Sequence, residues 1–152
     1  MGGPDTMIAQ TIQLALAPVF VLVAIGNIMN ILSTRLGRVV DRSRAMQARF
    51  DTTSGHDHDV VVREIRVLDR RIALIGRALL LLVLSGLTIG SVVAILFIEE
   101  FAGANLQPVA AATFLLAIAL LMSALWLFLM ETREASAALR IPKSYLELER
   151  DL

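Results

Sequence analysis

From Met7 to Leu32 the chain carries no charged residue. A helix rises about 1.5 Å per residue, so about 20 apolar residues cross a hydrocarbon core about 30 Å thick. The stretch is long enough to do so, and it constrains the rest of the chain to a membrane setting. Four amides interrupt it, Gln10, Gln13, Asn27 and Asn30, and polar groups in hydrocarbon need partners. Alternate steps of three and four from Gln10 pass through Gln13, Ala17, Phe20, Ala24, Asn27, Ile31, Thr34, Arg38 and Asp41. That is one unbroken seam with the spacing of helices that supercoil around a shared axis.

Charge placement extends the argument. All 14 basic residues lie in two blocks, Arg35 to Arg77 and Arg133 to Arg150. The remaining apolar stretches predict spans two and three at about 78–98 and 108–130, after span one at about 7–32. Basic loops stay in the cytoplasm, so the N-terminus is expected outside and the C-terminus inside. The short connection that begins Glu99-Glu100 holds acids and no base, which fits an outside loop. The first residues have no basic leader, and from Leu36 onward the chain is densely basic with no small-residue cleavage site, so span one reads as retained rather than cleaved. With no cysteine, disulfides and thiol chemistry are excluded.

The expected fold is therefore all-α: a single membrane domain with three transmembrane helices and a cytoplasmic antiparallel helical hairpin, about 35–77, between spans one and two. Pro18 is expected to bend span one near mid-membrane, and nothing beyond Leu32 stops the helix. Turn-forming residues from Asp51 to Asp59 mark a break. A second helix starting near Asp59 carries Val61, Ile65, Leu68, Ile72, Ile75 and Leu79 at steps of three and four, a coiled-coil pattern. Gly86 and Gly90 in span two, with Ser85 and Ser91 alongside, read as a helix-packing surface. Trp126 and Tyr145 read as interface anchors. The tail, 131–152, continues as helix until Ile141-Pro142 disrupts it.

These residues resemble a known family. The strings Ile8-Ala-Gln-Thr-Ile-Gln-Leu-Ala-Leu-Ala-Pro-Val-Phe, Arg35-Leu-Gly-Arg-Val-Val-Asp-Arg-Ser-Arg, Leu68-Asp-Arg-Arg-Ile-Ala-Leu-Ile and Glu131-Thr-Arg-Glu-Ala are similar to the bacterial membrane family catalogued as domain of unknown function 2721. The resemblance runs to about Ile141. It implies a small three-span inner-membrane protein of Gram-negative bacteria or cyanobacteria, and it implies no activity.

Two functional readings follow from the residues. In the first, several copies surround an axis and line an ion-conducting pore with Gln10, Gln13, Asn27 and Thr34, with Phe20 and Ile31 as apolar constrictions. Three spans are too few to enclose a watery path alone, so this reading needs a homo-oligomer. The competing account of the amides is that they bond spans two and three of the same chain. In the second reading the protein is a non-enzymatic scaffold or signalling subunit whose hairpin binds a cytoplasmic partner. A cytoplasmic charged ring is expected from Arg35, Arg38, Asp41, Arg42 and Glu131, with Asp69-Arg-Arg nearby. It could sense voltage, bind anionic lipid or gate a pore, or hold the hairpin to span three through ion pairs. His56-Asp57-His58-Asp59 carries metal-ligand residue types, but residues two apart in a turn do not converge, so no metal and no cofactor is expected. Glu99 and Glu100 could concentrate cations at a mouth or simply mark a wet loop. No catalytic arrangement or phosphate loop occurs, so no enzyme is expected. The arginines alternate with acids on helices with apolar faces, which argues against nucleic acid as a partner.

Overall fold

The computed structural model describes residues 4–103 and 105–138, and the side-chain surroundings of 13, 16–103 and 105–136. Three helices follow one another: α1 (Pro4–Phe50) and α2 (His56–Ala102), 47 residues each, and α3 (Gln107–Ala138), 32 residues. All three are long and apolar enough to cross a membrane. At 1.5 Å per residue α1 and α2 are about 70 Å long, more than twice a hydrocarbon core. Each therefore joins an apolar half to an arginine-bearing half with no break in the helix, and α1 is helical through Pro18.

Local chemistry sets the ends. The carbonyl of Arg49, left over at the end of α1, accepts from Thr52 N at 3.1 Å and from the hydroxyls of Thr52 and Thr53 at 3.0 and 3.1 Å. Gly55, at φ 62, turns the chain into α2, a conformation that costs glycine little. Asp57 and Asp59 then lie in the first turn of α2, where carboxylates favour the helix dipole. The break is thus shorter than the sequence suggested, and the helix begins at His56 rather than near Asp59. At the far end α2 continues past Ile98 until Gly103, at φ 63, whose N–H returns to Glu99 O at 3.0 Å. Glu99 and Glu100 accordingly belong to the last turns of α2, not to the loop, because no helix breaker lies between Ile98 and Gly103.

Burial recurs every seven residues in each helix. On α1 the buried row is Pro18, Ile25, Leu32, Val39 and Met46; on α3 it is Ala110, Ala117, Ala124 and Glu131. The middle helix has two rows, Val61-Leu68-Ile75-Leu82-Ile89 and Ala78-Ser85-Val92. A seven-residue spacing keeps one side of a helix on its neighbour over many turns. Both outer helices pack along α2. Both pairs are antiparallel: Arg42 meets Glu64 while Leu22 meets Gly86, and Arg71 meets Glu131 while Ser85 meets Ala117. The alanines of α3 leave room for close approach. The buried Ser85 hydroxyl uses it to donate to the backbone carbonyl of Ala117 at 2.8 Å.

Candidate functional site

The buried row of α1 fixes where its polar residues point. A helix turns about 100° per residue, so positions two and five residues beyond a buried one lie at the rear. Those rows are Phe20, Asn27, Thr34 and Asp41, led by Gln13, and Val23, Asn30, Gly37 and Arg44, led by Leu16; every one is exposed. Phe20 is 70% exposed and Ile31, on the adjoining flank, 52%. The rear face faces neither α2 nor α3. The account in which the amides bond the other two helices of the same chain therefore does not hold for Gln13 and Asn27, because the side of α1 toward α2 is occupied by Ile25, Leu32 and Val39. The side chain of Gln10 lies outside the described residues.

The expected charged ring separates into parts. Glu131 has no exposed surface and sits between two arginines. Arg71 donates from Nε and Nη2 to its Oε1 at 3.1 and 2.9 Å. Arg35 Nη2 is 2.7 Å from Oε2, an ionic contact whose angle leaves Oε2 without a hydrogen bond. The Arg35 guanidinium also lies 5.3 Å from the centre of the Phe128 ring, within cation–π range. One carboxylate from α3 thus ties α1 and α2 to it. Nearby, Arg70 pairs with Glu134 at 2.9 Å. Farther along, Arg42 pairs with Glu64 at 2.7 Å, and the hydrogen bond and charge of Glu64 hold the Arg42 guanidinium above its ordinary pKa. Arg38 and Asp41 are exposed on α1 and pair with no described residue. Within one chain the five residues do not make a ring. Glu64, Phe128 and Glu134 were not singled out as site residues from the sequence. The seven-residue recurrence of Ala110, Ala117 and Ala124 was the signal that Glu131 would point inward.

A shallow groove of about 640 Å³ runs between α1 and α2 on one side. Gly26, Gly86, Gly90, Ser91 and Ala94 contribute to its lining. A Cβ on Gly86 would meet Leu22 and Ile25 at ordinary contact distances of 3.8 and 4.0 Å, while Gly26 and Gly90 face open space. Gly86 therefore lies against α1, and the surface around Gly90 is unfilled within the chain. In the turn, His58 packs its ring on Phe50 with centroids 4.5 Å apart. Among the described residues no three His, Asp or Glu side chains gather as a metal site.

The family model described as Protein of unknown function (DUF2721) matches residues 15–141. No curated protein and no solved structure matches the chain. The match covers most of the sequence, and the chain belongs to the DUF2721 family.

Proposed function

We propose that this DUF2721 protein is a multi-pass inner-membrane protein that assembles as a homo-oligomer, with the rear face of α1 lining an ion-conducting path. The N-terminus is outside; the arginine-bearing halves of α1 and α2, and the C-terminus, are cytoplasmic. The observation that carries this reading is the outward direction of Gln13, Asn27, Asn30 and Thr34. Amides facing acyl chains would be left unsatisfied, each at a cost of several kcal/mol by the water-to-hydrocarbon scale. A water-filled axis shared between copies satisfies them. Phe20 and Val23 would narrow that axis, and Asp41 and Arg44 would stand at its cytoplasmic end.

Ion flux through the purified protein in liposomes tests the proposal, comparing wild type with Phe20→Ala and Asn27→Ala. The expected result is flux above empty liposomes, raised by Phe20→Ala and altered by Asn27→Ala. Flux at background for all three, with the protein shown to be folded and inserted, removes the pore. It would leave the scaffold reading, in which the exposed arginines of α1 and α2 meet a cytoplasmic partner.

A further inference from the structure

We propose that the groove between α1 and α2 is the seat of α1 from a second copy of this chain, in a head-to-tail contact that closes a ring. The inference rests on the homo-oligomer proposed above and specifies its interface. Two rows of exposed residues carry it. On α1, the residue before each buried one gives Ala17, Ala24, Ile31 and Arg38. On α2, the residue after each buried one gives Asp69, Gly76, Val83 and Gly90, and Val83 and Gly90 line the groove. The two rows lie on opposite sides of the chain's own α1–α2 contact, so they cannot meet within one molecule.

Copies related by rotation about an axis normal to the membrane are not displaced along it, so equal depths face each other across a heterologous contact. Depth is set by the register of α1 against α2, in which Arg42 meets Glu64 and Leu22 meets Gly86. That register levels Ala17 with Gly90, Ala24 with Val83, Ile31 with Gly76, and Arg38 with Asp69. The pairs complement one another throughout: small with small, small with large, large with small, and base with acid. Ile31 is 52% exposed and Val83 42%, and each meets a residue small enough to receive it. Gly76 and Gly90 have nothing within 4 Å of a built Cβ, so the space is present. Arg38 and Asp69 are exposed and pair with no described residue in their own chain. Seating the α1 flank in this way leaves the rear rows of Asn27 and Asn30 pointing toward the axis.

The absence of cysteine gives a clean background for cross-linking. Two differently tagged chains, Ala17→Cys and Gly90→Cys, are co-expressed, and membranes are treated with a mild oxidant. A disulfide between the two tags is expected, with neither chain linking to itself. In parallel, Arg38→Asp or Asp69→Arg alone is expected to lower the oligomer-to-monomer ratio about tenfold or more, because like charges brought face to face repel. Combining the two reversals restores it. Self-linking of Ala17→Cys would replace the ring contact with a two-fold one and overturn the proposal. So would an intact oligomer that shows neither the mixed disulfide nor charge-reversal rescue. A monomeric wild type in native mass measurements sinks the homo-oligomer reading itself.

Discussion

Glu131 Oε2 stands 2.7 Å from Arg35 Nη2, although the helices that carry them each pack along α2. The carboxylate is fully buried and also serves Arg71. Removing it would leave two partly buried arginines near each other without their shared counter-charge. Glu131→Gln is expected to destabilise the fold by about 3 kcal/mol or more, read as a lowered melting temperature in detergent micelles. Arg35→Gln in the same background should cost less than it does alone, since the two residues act as a unit.

Arg42 and Glu64 form a pair of similar length but with both side chains partly in water, 55% and 34% exposed. Arg42→Ala is expected to change stability by less than about 1 kcal/mol. The Arg42 pKa is raised, so its contribution is complete below the ordinary arginine range and is lost only above it. Melting curves of wild type and Arg42→Ala should therefore stay parallel between about pH 6 and 9.

The contact between Ser85 and Ala117 depends on a small residue on α3. Ala117→Leu would drive a bulky side chain into the Ser85 hydroxyl and the α2 backbone. A loss of about 1–3 kcal/mol is expected from overpacking, with Ser85→Ala milder, roughly 1 kcal/mol for the lost hydrogen bond. Ranking the two variants by melting temperature checks the order.

Wetness separates the faces of α1. In the cysteine-free chain, Asn27→Cys is expected to react with a membrane-impermeant thiol reagent at least about tenfold faster than Leu32→Cys, which is buried against α2, or Met122→Cys, which is exposed on the uncharged part of α3 and is expected to meet lipid. Equal, slow labelling at all three positions would contradict a water-filled axis.

Sidedness has its own readout. Ser54 lies in the turn between α1 and α2 and Asn105 between α2 and α3, both exposed. If the proposed orientation holds, Asn105→Cys is labelled from outside in intact cells, and Ser54→Cys only after the membrane is opened.

Much of this architecture could be read from the residues. Uncharged stretches located three helices, and the turn residues near Asp51 located the reversal. Heptad spacing on α2 was visible because Val61, Leu68 and Ile75 are apolar among charged neighbours. On α1 the same spacing was harder to use. In a membrane helix the side toward another helix and the side toward lipid are equally apolar, so Ile25 and Leu32 did not stand out from Val23 and Ile31. Gln13, Asn27 and Asn30 did stand out, and they mark the face that turns away from the chain's own helices. Ion pairs between the hairpin and span three were among the readings of the charged cluster, but that Glu131 takes both Arg35 and Arg71 depends on how three helices converge and not on the spacing along one. The same limit applied to Glu64, whose partner Arg42 lies on the other helix of the hairpin.

The continuity of α1 and α2 from apolar to arginine-bearing half has a mechanical meaning. Two stiff rods joined at residues 51–55 and running without interruption through their whole length have no joint at the bilayer surface to absorb a displacement. A displacement at the tip is then expected to travel along the helices as tilt, past the Glu131 contacts to Arg35 and Arg71.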